Sequence, residues 1–342
     1  MQISIQKSNQ LKSIAILMML FLHLFNTDYK GLFHPLIFIG SQPLSYYISL
    51  FSDACVPIFA FVSGYGLYYS YLNNKNLYFE KNIERTKKLY FRYWIILLLF
   101  AVLLGWIMGT DGYPGSLQKF ALNFTGLKGS YNGAWWFFTI YILFVFTSKF
   151  WFKLLDKVNP YFYLGLLLII YIVAFYFRIY NSNIFQNPIL HWAHTQSALY
   201  FCTLFQFMLG SFALKYQWHK KVLEVFNKFK WPTLVAILGI IVLIVFHGLI
   251  PNFIVAPFTA LGFIFLFLQI KFGKSVDKSL DFFTPHATNL WLIHMFFYIT
   301  YFKDIIYAPQ YPLIIFTWLV LWCLVASVVV NFIYNRTYSL IK

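Results

Sequence analysis

Ten apolar stretches follow one another along a chain of 342 residues, at about 10–26, 45–72, 89–109, 134–154, 161–180, 197–215, 231–248, 251–270, 286–303 and 311–334. A helix needs about 20 apolar residues to cross the hydrocarbon of a bilayer. Most of the stretches have that length. The first is short, and the second and last are long enough to tilt or to carry non-spanning turns. No soluble segment of useful size remains between them. With 61% of residues hydrophobic and 11% charged, the chain is far more apolar than a soluble core requires. The pattern predicts an all-α, polytopic integral membrane protein of about ten transmembrane helices, forming a single domain over 1–342. Pro57, Pro188, Pro251, Pro257, Pro285 and Pro312 fall at or near span ends, where a missing N–H is tolerated, or kink the spans.

Charge sets the orientation. With the N-terminus in the cytoplasm and the spans alternating, Lys30, Lys119, Lys128, Arg178 and Lys303 fall outside. The other 21 of the 26 Lys and Arg residues, Lys342 among them, fall inside. So lopsided a split is the positive-inside pattern, and it predicts both termini in the cytoplasm. Removing one middle span would invert everything after it. The net charge of +16 is therefore a topology signal, and no nucleic-acid partner is expected. Lys7 and Lys12 precede the first apolar stretch as in a signal peptide, but the chain continues Leu24-Phe-Asn-Thr-Asp-Tyr-Lys30 with no small-x-small cleavage site. That stretch is expected to be a retained span. No internal repeat of the inverted-transporter kind is visible.

Cys55, Cys202 and Cys323 lie scattered among apolar residues, the spacing of packing residues rather than of a zinc site or a disulfide framework. There is no HExxH, no GxSxG and no Walker-type loop. The acidic residues are few and mostly in loops, so no metal is expected. The longer outside connections, 27–44, 110–133 and 181–196, combine turn-formers with aromatics suited to an interfacial belt or to sugar stacking.

A few polar groups stand out against this background. His23 lies eleven residues after Lys12 on the first span, a separation of about 16 Å on a helix and roughly half the hydrocarbon thickness. An ionisable group so placed is a functional candidate by default; a neutral imidazole bonded to a carbonyl and holding helices together is the structural alternative. His294 is a second mid-span imidazole. His247 and His286 lie nearer span ends, and His34, His191, His194 and His219 fall in loops. Arg85, Lys88 and Arg92, three and four apart, share one helical face. Such a row of cations suits a phosphorylated ligand, or anchors the protein to anionic lipid. Ser63-Gly64-Tyr-Gly66 marks either close helix packing or an unwound stretch along a cavity. Asp53, the acidic residue nearest a span interior, either pairs with a histidine or faces the outer surface. Trp135 and Trp136, after Asn132-Gly133, are belt residues or site lining.

Together these residues resemble the acyltransferase 3 family of bacterial membrane acyltransferases. In that family a basic residue, ten residues and a His occupy the first span; here they are Lys12 and His23, with Lys where Arg is more usual. Val56-Pro-Ile-Phe-Ala-Phe-Val-Ser63-Gly64-Tyr65 is similar to the pattern of its second span, and Arg85-Thr-Lys-Lys88 to the basic pair that follows. Asn132-Gly-Ala-Trp-Trp136, Phe207-Met-Leu-Gly210 and Leu290-Trp-Leu-Ile-His294 are similar to later family patterns, in the same order, over about residues 10–300. Lys at positions 12 and 88 keeps the charge of Arg but loses its bidentate fork.

The resemblance implies transfer of an acyl group, usually acetyl, from acyl-CoA (acetyl-CoA the expected donor substrate) to a hydroxyl of a surface glycan or lipid-linked oligosaccharide, in a multi-pass protein of the bacterial cytoplasmic membrane. On that reading His23 is the general base, removing the acceptor proton as the hydroxyl attacks the thioester; an acyl-histidine relay is the covalent variant. Desolvation keeps the imidazole neutral, the form a base needs. His294, Ser63 or a backbone N–H near Gly64 stabilises the oxyanion. Arg85, Lys88, Lys12 and Arg92 hold the CoA phosphates. The rival expectation is a polysaccharide exporter or flippase without chemistry, which would line a continuous path with polar groups.

Overall fold

The computed structural model describes residues 3–27, 30–250 and 252–339. The quoted Asp28, Tyr29, Pro251 and Lys342 lie outside the described residues. The chain is almost wholly helical. In order it forms α1 (Ile5–Phe25), α2 (Leu44–Asn73), α3 (Tyr78–Ile107), α4 (Leu117–Phe124), α5 (Gly133–Lys157), α6 (Pro160–Ile179) and α7 (Pro188–Lys215). There follow α8 (Trp218–Phe226), α9 (Pro232–Leu249), α10 (Phe253–Phe267), α11 (Lys274–Phe283), α12 (Ala287–Met295), α13 (Lys303–Tyr307) and α14 (Pro312–Tyr338). Two strands of two residues, Phe38–Ile39 and Gln42–Pro43, pair antiparallel between α1 and α2.

Eight of these helices, α1, α2, α3, α5, α6, α7, α9 and α14, are long and apolar enough to cross a membrane. An all-α polytopic membrane protein is what the apolar periodicity demands. The other two apolar stretches fold as shorter helices: α10, and α12 with the π-helical segment Phe296–Tyr301 that continues it.

The largest departure from the sequence expectation is α7. It starts at Pro188, nine residues ahead of the apolar stretch, because Asn187 caps it and Pro188 presets its first turn. The Asn187 side-chain oxygen accepts from the N–H groups of Ile189 (2.9 Å) and Leu190 (3.2 Å). His191 and His194, expected in a loop, are therefore on a helix, as is His219 on α8. The basic stretch at 81–92 opens α3, on a helix as the spacing of its cations requires.

The chain forms two compact units, each assembled from discontinuous segments. The first comprises the residues up to Lys12, Asp53–Asn82 and Ile140–Gly273; the second comprises Ser13–Ser52, Ile83–Thr139 and the residues from Lys274 on.

In the first unit α2 and α7 cross at backbone contact. A Cβ added at Gly64 would lie 1.8 Å from the Phe207 carbonyl oxygen, and one at Gly210 would lie 2.0 Å from that of Phe61. The two glycines admit each other's helix reciprocally, and the Ser211 hydroxyl donates to the Gly64 carbonyl at 3.2 Å. Without a hydrophobic driving force between helices in lipid, such close van der Waals contact is what holds them. The small residues around Ser63 thus serve packing. At one end of this crossing Tyr68 donates to Asp156 (2.8 Å), and Lys215 pairs with the same carboxylate at 3.0 Å.

In the second unit, α3 carries the π-helical segment Leu97–Leu104 and α12 runs into its own at Phe296. Such wide turns in helices are frequent at functional sites. The hydroxyl of Tyr301 donates to the Phe100 carbonyl at 2.7 Å, joining the two segments.

Candidate active site

Two histidines, 271 positions apart in sequence, meet in the second unit. The ring of His23, near the end of α1, lies 5.0 Å from the ring of His294 on α12, centroid to centroid. Tyr298, one turn further along, completes a three-ring cluster. Its ring is 6.1 Å from His294 and 6.2 Å from His23. His294 is wholly buried and His23 half-buried.

The surroundings of His294 assign its tautomer. Its Nδ1 lies 3.0 Å from the Leu290 carbonyl oxygen and 2.9 Å from that of Trp291. Carbonyl oxygens only accept, so Nδ1 carries the hydrogen and the neutral ring presents a lone pair at Nε2. That Nε2 is buried, with no hydrogen-bond partner among the described residues. In this form His294 is an acceptor and has no second N–H to offer an oxyanion. His23 makes no hydrogen bond among the described residues, so its ring is free to engage a ligand.

The Asn132–Trp136 motif holds the helix that carries His294. The Asn132 side chain and the Trp135 indole both donate to the Leu292 carbonyl, each at 2.9 Å. In return the Trp291 indole donates to the Ala134 carbonyl at 2.9 Å. The Asn132 oxygen also accepts from the Ala134 N–H at 2.9 Å, closing the turn. Of these four hydrogen bonds, three clamp α12 where it passes from α to π geometry and the fourth braces the turn. An Asn132→Ala variant loses two of them, at a cost of about 1–3 kcal/mol. We expect a lower melting temperature and a reduced kcat with the KM for the acyl donor nearly unchanged, checked by thermal melts and steady-state kinetics of the purified protein.

The expected cations take distinct positions. Arg85, Lys88 and Arg92 run along α3 in the second unit. Lys88 pairs with Glu84 at 3.4 Å, and Glu84 also accepts from the Tyr338 hydroxyl at 2.8 Å. Arg92 stacks on Tyr334, its guanidinium carbon 4.5 Å from the ring centroid, and has no ion pair among the described residues. Lys12 is half-buried on α1 and makes no hydrogen bond or ion pair among the described residues. Eleven residues turn an α-helix through about 20° net, so Lys12 and His23 lie on one side of α1. Ser63 belongs to the first unit, half-buried and one residue ahead of the Gly64 crossing.

The sequence reading missed Tyr298, although its spacing of four from His294 places it on the same face. It also missed a polar group on α12 and α14. There His286 Nδ1 lies 2.8 Å from the Ser327 hydroxyl, and Asn289 donates to Ser327 Oγ (2.8 Å) and to Asn331 (3.0 Å). Among the described residues no group of three or more His, Cys, Asp or Glu side chains is disposed to hold a metal.

No curated protein and no solved structure matches the chain. The model of the acyltransferase 3 family, described as an acyltransferase domain, matches residues 5–336, nearly the whole length. The histidine pair, the α3 cations and the clamp on α12 all fall within that match, and the chain belongs to the acyltransferase 3 family, a membrane protein of many spans built for acyl transfer.

Proposed function

We propose that this protein transfers an acyl group, acetyl in the simplest case, from acyl-CoA to a hydroxyl of a cell-surface or lipid-linked glycan at the bacterial cytoplasmic membrane. The observation that carries the reading is the meeting of His23, which makes no hydrogen bond among the described residues, with the buried His294, 5.0 Å apart ring to ring. In the reaction His23 takes the proton of the acceptor hydroxyl as its oxygen attacks the thioester carbonyl. The new C–O bond forms, the C–S bond breaks, and the imidazolium returns the proton to the CoA thiolate. The buried lone pair of His294, 5.0 Å away ring to ring, stabilises the positive charge that His23 acquires.

In this reading ten crossings place both termini in the cytoplasm. The short helices α10 and α12 complete the set of eight long ones. Arg85, Lys88, Arg92 and Lys12 then serve the anionic end of the donor. That Lys12, half-buried, and Arg92, stacked on Tyr334, have no ion pair among the described residues supports that role, since a phosphate would supply the missing counter-charge. Ser63 and Lys12, which belong to the first unit, enter on the sequence motif. Ser63 is the candidate oxyanion donor, a role the tautomer of His294 does not fill.

Two measurements test the proposal. Purified protein should release free CoA from acetyl-CoA in the presence of a glycan acceptor, and mass spectrometry should show the acyl mass on surface glycans only when the protein is present. A wild-type protein that neither binds nor turns over acyl-CoA, in cells whose glycan export depends on it, would establish the exporter instead. Replacing Arg85 and Lys88 together by Ala should raise the KM for acyl-CoA by about 100-fold or more, since each charge-assisted contact contributes about 1.5–3 kcal/mol. The kcat should change little. An unchanged KM would remove α3 from the donor site.

A further inference from the structure

When a hydroxyl attacks a thioester carbonyl, negative charge develops on the carbonyl oxygen. A hydrogen-bond donor aimed at that oxygen is usually the largest single contribution a protein makes to such a step. His294 has its one N–H committed to the Leu290 and Trp291 carbonyls, 3.0 and 2.9 Å away. His23, as the base, accepts. The third ring of the cluster carries the donor that the two histidines lack. Tyr298 lies 6.2 Å from His23 and 6.1 Å from His294, centroid to centroid, and the two imidazoles are 5.0 Å apart. The three centroids form a nearly equilateral triangle, so each ring borders the other two and none stands between them. The hydroxyl of Tyr298 is not spent on His294, whose Nε2 has no partner among the described residues.

A buried tyrosine normally finds a partner for its O–H. The other three buried tyrosines of the second unit do so. Tyr93 donates to the Asn123 carbonyl at 2.7 Å, Tyr307 to the Leu24 carbonyl at 3.1 Å, and Tyr131 to the Pro114 carbonyl. Tyr298, only 8% exposed, has no hydrogen bond at its hydroxyl among the described residues. A buried polar group left unpaired asks for a reason, and looseness is not the reason here. Tyr298 belongs to the π-helical segment Phe296–Tyr301, whose Phe297 packs on Phe100 (5.9 Å) and Trp322 (6.0 Å) and whose Tyr301 is bonded to the Phe100 carbonyl. On the other side, the Tyr307 bond holds the carbonyl of Leu24, the residue after His23. The backbone is tied on both sides, while the His23 imidazole and the Tyr298 hydroxyl are left uncommitted. That is the arrangement of a preorganised site.

We propose that Tyr298 is a catalytic residue, its O–H donating to the thioester oxygen as the acceptor attacks. This inference rests on the acyl-transfer reading, and it sets a donor inside the histidine cluster against the Ser63 candidate drawn from the sequence motif. The acceptor oxygen bonds to the carbonyl carbon, its proton goes to His23, and the carbonyl π pair moves onto the oxygen that Tyr298 holds. As that pair returns, the C–S bond breaks and the departing thiolate takes the proton back from the imidazolium. The phenol keeps its own proton throughout and serves only as a hydrogen-bond donor.

The test uses inverted membrane vesicles from cells producing the full chain, which carry the native acceptor and take donor from the cytoplasmic face. Two donors radiolabelled in the acyl group are compared: acetyl-CoA, and acetyl-dithio-CoA, in which sulfur, a weak acceptor, replaces the carbonyl oxygen. Tyr298→Phe keeps the ring and removes only the hydroxyl. With acetyl-CoA it should lower kcat by about 10²–10³-fold, the effect of losing one oxyanion donor. The KM for acetyl-CoA and the melting temperature of the purified variant should stay at wild-type values. With the dithio donor, wild type and Tyr298→Phe should turn over at nearly the same rate, because the oxygen that the phenol holds is gone. An unchanged kcat in Tyr298→Phe would overturn the assignment, as would a dithio penalty as large in the variant as in wild type. A fall in kcat that comes with a lower melting temperature and weaker acetyl-CoA binding would make the hydroxyl structural instead. Loss of the dithio penalty in Ser63→Ala, with Tyr298→Phe behaving as wild type, would give the role to Ser63. Wild-type vesicles that transfer no label from acetyl-CoA would sink the acyl-transfer reading itself, and the role of Tyr298 with it.

Discussion

His23→Ala should reduce acyl transfer by about 10²–10⁴-fold, the contribution of a positioned general base. It should leave expression, membrane insertion and acyl-CoA binding close to wild type. The ring is half-buried and makes no hydrogen bond among the described residues, so its removal breaks no bond that holds the fold. Its neighbours across the gap, His294 and Tyr298, keep their own anchors: His294 remains tied to the Leu290 and Trp291 carbonyls. Single-turnover assays with saturating donor separate this effect from binding. His294→Ala should fall in the same assay but should also lower stability, since it empties a fully buried site. Near-normal transfer by His23→Ala would remove the base from the mechanism, and the acyl-histidine variant with it.

The largest effect on stability is expected at the reciprocal glycine crossing. Gly64→Ala places a methyl group 1.8 Å from the Phe207 carbonyl oxygen, and Gly210→Ala places one 2.0 Å from that of Phe61. Both obstacles are helix backbone, so no side-chain rotation relieves the clash and α2 must separate from α7. Overpacking of this kind costs about 3 kcal/mol or more, and it also removes the Ser211 bond to the Gly64 carbonyl. The control is two residues away. A Cβ at Gly66 meets nothing within 4 Å, so Gly66→Ala should be neutral or slightly stabilising. Melting of the three variants in detergent checks the pair of outcomes. Equal melting temperatures would mean that the helices do not cross at these glycines.

Much of the fold was legible in the residues. Apolar runs near the length of a bilayer crossing correspond to eight long helices, and the cation row of α3 lies on a helix as its spacing required. His23 and His294 were singled out because an imidazole amid lipid-compatible residues is anomalous. The start of α7 was not legible. His191, His194, Thr195 and Gln196 lower the hydropathy there, while the Asn187 cap and Pro188 start the helix regardless. A hydropathy window reports the surroundings of a span, whereas a helix begins where its first N–H groups find partners.

The sequence by itself determined that the chain lives in a bilayer, that its apolar stretches are helical and which ionisable groups are out of place. These follow from transfer energies and periodicities carried by a few neighbouring residues. The tertiary structure alone decided that His23 meets His294, that the Asn132 and Trp135 side chains clamp the Leu292 carbonyl, and that Gly64 and Gly210 admit each other's backbone. Each of these joins groups far apart in the chain, through distances of a few ångströms that depend on how whole helices pack, and no local pattern encodes that.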